Sequence, residues 1–104
     1  MRNIIFSILI FLTVPALAGK DVSSSMINYV YQLDSDETVF EFNSSVKHGC
    51  GSHLYRVESP SAAVANRKFA LVLAAFMGGK KIAFHDRESC LGSRSSVAWI
   101  RLIN

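Results

Sequence analysis

The sequence lacks most signatures of catalysis. It has no phosphate-cradling glycine loop, no HExxH pair and no nucleophile-elbow serine. Serines do cluster, at Ser23-Ser24-Ser25, Ser44-Ser45 and Ser95-Ser96. Asp34, Asp36 and Glu37 share a turn-like stretch, where solvation accounts for their charges. His48, His53 and His85 follow no metal-ligand spacing. A metal set made of them with Asp86 would need the fold to draw all four together, and the simpler reading is three ordinary histidines near a disulfide. We therefore assign no catalytic residue, metal or cofactor, and expect no enzyme. A strong charge of one sign is also missing. Lys+Arg number 11 against 8 Asp+Glu, a formal net charge of +3. That balance is too mild to indicate a nucleic-acid partner, and Arg67-Lys68 and Lys80-Lys81 read as solvated surface pairs.

An apolar run long enough to span a membrane is absent as well. Ile4 to Val14 is apolar except for Ser7 and Thr13, which is too short for a transmembrane helix. Arg2 precedes it, Pro15 follows it, and Ala16-Leu17-Ala18 offers small residues where a signal peptidase reads them. The pattern predicts a bacterial Sec signal peptide over residues 1–18, cleaved after Ala18, and a secreted or periplasmic protein. No cysteine follows Ala18, which argues against a lipoprotein. Residues 19–104 then form a single small domain. Its two cysteines, Cys50 and Cys90, are expected to pair in an oxidising compartment. Closing a loop of that length restricts the unfolded chain by about 4 kcal/mol.

Alternation marks the strands. Ile27, Tyr29, Tyr31 and Leu33 recur at every second position, and Asp34-Ser35-Asp36 supplies turn chemistry before a second strand, Thr38 to Phe42, with Phe40 and Phe42 on one face. His53 to Val57 reads as a third strand, with His53, Tyr55 and Val57 on one side and Leu54 and Arg56 on the other. Ser59-Pro60 predicts a helix start, with Ser59 as N-cap. Ala62, Ala65, Phe69, Leu73 and Phe76 outline one helical face up to Met77, and Gly78-Gly79 ends the helix. The second half of this helix is apolar nearly all round. Lys80 to Asp86 is a fourth strand, Arg87 to Ser95 a polar loop, and Ser96 to Ile103 a fifth strand. In that last strand Val97, Trp99 and Ile103 share one face, and Ala98, Ile100 and Leu102 the other. The order β-β-β-α-β-β, mainly β with one helix, is that of a five-stranded OB-fold-like barrel with one disulfide. Other barrels and α+β arrangements fit the same string.

Tyr29 and Tyr31 are the candidate ligand-binding residues. Side chains on one strand face either fill a core or line a shallow sugar or peptide site, and a tyrosine suits both. Several segments also resemble a broad set of small secreted bacterial proteins. They are Gly49-Cys50, Leu54-Tyr55-Arg56-Val57, Asn66 to Leu71, Gly79 to Phe84, Cys90 and Val97 to Leu102. The helix followed by a Gly-Lys turn and a strand is similar to the binding subunit of subtilase-type AB5 cytotoxins. That resemblance implies an OB-fold, a ring-shaped homopentamer, a host glycan as ligand and a toxin A subunit as partner. The family's sugar-contacting N-terminal region has no residue-by-residue match here, so no site residue is transferred. Two functions stay open: a non-catalytic binding module, and a periplasmic structural or accessory protein without a small ligand. A homo-oligomer that buries the apolar helix end and a monomer that covers it with the disulfide loop are likewise both open.

Overall fold

A computed structural model describes residues 19–103; the predicted signal segment, 1–18, lies outside the described residues. Six strands and one helix follow one another as β1 (Lys20–Ser25), β2 (Ile27–Gln32), β3 (Val39–Ser44), β4 (Leu54–Glu58), α1 (Ala62–Gly78), β5 (Lys81–Leu91) and β6 (Arg94–Ile103). All six strands belong to one sheet, ordered β1-β5-β6-β4-β3-β2. Every pairing is antiparallel except β4 with β6, the two strands that flank α1 and the first half of the β5–β6 hairpin in sequence. The mainly β fold with one helix agrees with the sequence pattern. The closed five-stranded barrel does not. The order is β-β-β-β-α-β-β, and β1 and β2 occupy the two edges of an open sheet without pairing to each other.

Those two edges nevertheless meet at a single residue, Met26. The Cα atoms of Ser25 and Ile27 are two peptide steps apart, at most about 7 Å. A flat six-stranded sheet would hold its edges roughly 24 Å apart. The sheet must therefore curl strongly. Met26 fixes the corner: its N–H donates to Ser45 Oγ at 3.1 Å and its carbonyl accepts the Ser45 N–H at 3.1 Å. The Ser25 and Ser44 hydroxyls hydrogen-bond just inside it.

Aromatic residues fill the concave side. Phe42 stacks on Tyr55 at 5.5 Å and meets Phe84 edge-on at 5.2 Å, while Tyr55 meets Phe84 at 4.7 Å. Each such edge-to-face or offset pair adds about 0.5–1.5 kcal/mol beyond area burial. Phe69 of α1 packs edge-on against Phe40 at 5.4 Å, which seats the helix on this core. Burial, and to a lesser degree the charge of Asp86, push the Tyr55 hydroxyl well above its ordinary pKa; it donates to the Val46 carbonyl at 3.0 Å. Among the described residues no helix is long and apolar enough to cross a membrane.

The helix corrects two expectations. Its N-cap is Ser61, whose Oγ accepts the Val64 N–H at 3.2 Å; Ser59 and Pro60 precede it. The buried face is Ala65, Val72 and Ala75, with Phe69 packed against the core, whereas Leu73 and Phe76 are exposed. Both candidate faces share Ala65 and Phe69. Where Leu71 to Phe76 is apolar throughout, a 3.6-residue period cannot choose between them. Gly79 ends the helix in the left-handed region, at φ 66°, with its N–H turned back toward the last carbonyls.

The expected polar loop from Arg87 to Ser95 is mostly strand. β5 runs on to Leu91, and only Gly92-Ser93 separates it from β6, with Leu91 opposite Arg94. Gly92 has φ +67°, the glycine-first pattern of a two-residue hairpin turn. On the way β5 bulges. Glu88 adopts φ 56°, and its N–H is held by Asp86 Oδ1 at 2.8 Å. The Cys50–Cys90 disulfide forms as expected, across 40 residues of sequence, and ties the loop before β4 to this bulge.

A second bulge re-aims β6. Phe84 faces Ile100 and Asp86 faces Val97, so two residues, Ala98 and Trp99, oppose His85 alone. Val97 and Ile100 are therefore both buried while Trp99 turns outward. The expected faces of this strand are thus mixed, because one extra residue reverses the alternation.

Candidate functional site

The same device sets the outer face of β2. Its register against β3 shifts between Ile27 and Tyr29. Ile27 is buried in the core, and Tyr29 and Tyr31 face away from it rather than sharing its side. Tyr29 is 47% exposed. The two rings lie 6.2 Å apart with a 29° interplanar angle, a short aromatic step along the convex surface. Asn43 Nδ2 donates to Tyr29 Oη at 3.4 Å and Asn43 Oδ1 accepts from Asn28 Nδ2 at 2.8 Å, so amides border the step.

Strand register builds the rest. Tyr31 stands opposite Glu41, Glu41 opposite Arg56, and Arg56 opposite Ser96. Alternation places Phe40 and Phe42 inward and Glu41 outward, yet Glu41 is fully covered, because the side chains beside it close over it. Tyr31 Oη donates to Glu41 Oε1. Arg56 Nε donates to Glu41 Oε2 at 2.7 Å. Arg94 Nε, arriving from the far side just after the hairpin turn, lies 2.6 Å from that oxygen at an angle that makes it a charge contact rather than a hydrogen bond.

These contacts fix the charge states. Burial alone would push the Glu41 carboxyl up. The Tyr31 hydroxyl and the two guanidiniums more than offset it and hold the carboxyl below its ordinary range. Burial and the Glu41 hydrogen bond raise the Tyr31 hydroxyl. Tyr31 and Glu41 hold the Arg94 guanidinium above its usual value. At neutral pH the cluster is one carboxylate beneath two guanidiniums and a neutral phenol. The carboxylate's lone pairs face these donors, which orients the side chains around it. The described residues form no pocket here; the site is a face, not a cleft.

The histidines do not converge. His48 is buried beside the disulfide: its Nδ1 accepts the Cys50 N–H at 2.9 Å, its Nε2 lies 2.7 Å from the Leu54 carbonyl, and its ring meets Tyr55 at 4.8 Å. His53 Nδ1 approaches the Ser44 carbonyl at 3.0 Å. His85 sits on the opposite flank, 2.7 Å from Asp21 and stacked on Trp99 at 6.3 Å. Asp86 is buried with Ser95 and holds the β5 bulge. Among the described residues no group of three or more His, Cys, Asp or Glu could hold a metal ion.

The sequence singled out Tyr29 and Tyr31 and missed Glu41, Arg94 and Asn43. One signal was available: Glu41 is a lone charge between two core phenylalanines, and a strand puts such a residue on the outer face. Arg94 carried no comparable signal, since it was assigned to a loop. No family model matches the chain, and no curated protein matches it.

Proposed function

We propose that this protein is an exported, non-catalytic binding module that presents the outer face of β2, β3 and β4 to a saccharide. The observation that carries the reading is the exposed, stacked Tyr29–Tyr31 step, bordered by Asn28 and Asn43 and braced by Glu41. Sugar rings have apolar C–H faces and polar rims, and aromatic side chains edged by amides and guanidiniums match both. Two further points support it. Counting β1 and β2 as one strand bent at Met26, the sheet order is that of an OB barrel, a partly open fold whose early-strand face binds oligosaccharides in other proteins. The Cys50–Cys90 bond suits an oxidising compartment, in keeping with export behind a signal segment. The resemblance to subtilase-type binding subunits extends the proposal to a host glycan, a ring of copies and a toxin A subunit. Leu73, Phe76 and Met77, exposed on α1, are the surface such a ring would cover.

The test is a glycan array probed with the purified protein and with Tyr29→Ala. Retention of defined glycans by the first and not by the second is the expected result. An array with no retained glycan overturns the reading and favours an accessory protein without a small ligand. Light scattering reads the assembly: a monomer at micromolar concentration removes the ring.

A further inference from the structure

Asp86 is, beside Glu41, the other fully buried carboxylate among the described residues. Its Oδ1 accepts the Ser95 hydroxyl and the Glu88 N–H. Its Oδ2 is also buried and, among the described residues, has no hydrogen-bond partner. Neither protonation state cures this: an ionised Oδ2 lacks a donor, and a protonated one lacks an acceptor. A buried orphan of this kind is costly. The titratable neighbours are engaged elsewhere or turned to solvent. Lys20, opposite Asp86 in register, is exposed, as is Glu88 on the bulge. Asp21 pairs with His85. Arg87 directs Nη1 to Ser96 Oγ at 3.4 Å, and the Tyr55 hydroxyl donates to the Val46 carbonyl.

One segment already lies against this residue. Gly19 precedes β1 at φ +74° and is half-buried; a Cβ there would stand 2.2 Å from the Asp86 carbonyl oxygen and 2.8 Å from the Arg87 Cα. Glycine alone comes so close to the β5 main chain. In the 104-residue chain the Gly19 nitrogen is an amide joined to Ala18. Hydrolysis of that bond by one water leaves a carboxylate on Ala18 and an α-ammonium, with three N–H donors, on Gly19.

We infer that Asp86 Oδ2 receives the mature N-terminus: the Gly19 α-ammonium freed by signal cleavage pairs with it and clamps β1 to β5. The inference rests on cleavage after Ala18, part of the export reading above. The pairing gives the orphaned oxygen its donor and the new charge its counter-ion, and it exists in the mature chain alone. It also accounts for glycine in first place, since a side chain would push the terminus off the Asp86–Arg87 peptide. β1 has few other holds on the core, its buried residues being Val22 and Ser25.

Mass spectrometry of the exported protein fixes its first residue. Two forms with the disulfide intact are then compared, one beginning at Gly19 and one at Ala18. In the Gly19 form the α-amino group, followed by NMR, should titrate about one pH unit above its ordinary value of about 7.7–8.0. At pH 7 that form should melt about 4–8 °C higher than the Ala18 form. A raised value means that the advantage is complete below the ordinary pKa and fades as pH rises through the folded one. Asp86→Asn should abolish both differences, compared within its own background; Lys20→Met should keep both. If Asp86→Asn does not fold, the two forms that retain Asp86 still decide. Equal melting with an ordinary α-amino titration overturns the inference, as do differences that survive Asp86→Asn or vanish in Lys20→Met. An exported protein that does not begin at Gly19 overturns the cleavage reading itself, and the clamp with it.

Discussion

The two faces of β3 differ by one residue of phase and by everything else. Phe40 and Phe42 point into the curl and are fully buried among aromatics; Glu41 and Asn43, between and beside them, face outward among tyrosines, arginines and amides. The inner set is held by contact area and ring geometry. The outer set is held by one carboxylate that two guanidiniums and a phenol share. Damage to the inner face should thus register as lost stability, and damage to the outer face mainly as lost recognition.

The hardest blow to the inner face is Phe42→Ala, which removes a ring between Tyr55 and Phe84. It should cost about 3–5 kcal/mol, read by urea unfolding; a cost under about 1 kcal/mol would mean that the core does not depend on this stack. Next comes the staple between the loop before β4 and the β5 bulge. Replacing Cys50 and Cys90 together with serine should cost about 2–4 kcal/mol through the freer unfolded chain, with a near-native circular dichroism spectrum if the sheet is otherwise intact. Glu41→Gln tests the border between the faces. It leaves the two guanidiniums short of their counter-charge over a buried amide, and should cost about 1–3 kcal/mol at pH 7.

Acid sharpens the same point. The Glu41 carboxyl titrates lower in the folded protein than in the unfolded chain. Its contribution is complete above the unfolded value, near pH 4.3, and is lost as pH falls through the lower folded value. The melting temperature should therefore drop more steeply below about pH 4 in the parent protein than in Glu41→Gln; parallel curves would show that Glu41 is not the group responsible. The smallest effect on folding belongs to Tyr29→Ala, at an exposed position. Stability should stay within about 0.5 kcal/mol while glycan retention is lost.

Much of the inner face was legible because burial writes a period into the sequence. Phe40 and Phe42 at alternate positions gave β3, and Tyr55 with Val57 gave β4. The cysteine pair followed from an even count and the expectation of export. The failures share a cause: each lies where one inserted residue resets the phase. Ile27 and Tyr29 alternate in sequence but lie on opposite sides, because the β2–β3 register slips between them. Trp99 was grouped with Val97 until the bulge opposite His85 turned it outward. The β5–β6 hairpin was hidden by the polar run Arg87-Glu88-Ser89, although Gly92-Ser93 is itself a two-residue hairpin signal. The site was half legible. The tyrosines could be named from their own strand, but their partners depend on register across four strands. β1, with its serines and one buried apolar residue, Val22, has too little apolar pattern to announce a strand.

The corner at Met26 also orders events in time. β2, β3 and β4 are neighbours in sequence, so they can assemble as a meander soon after they leave unfolded chain. β1, one residue upstream, has no partner until β5 exists; its contact between Asp21 and His85 closes 64 residues of sequence. Closing so long a loop is slow and entropically costly. The first strand of the domain is thus the last to dock, and its amides should exchange earliest in the native state.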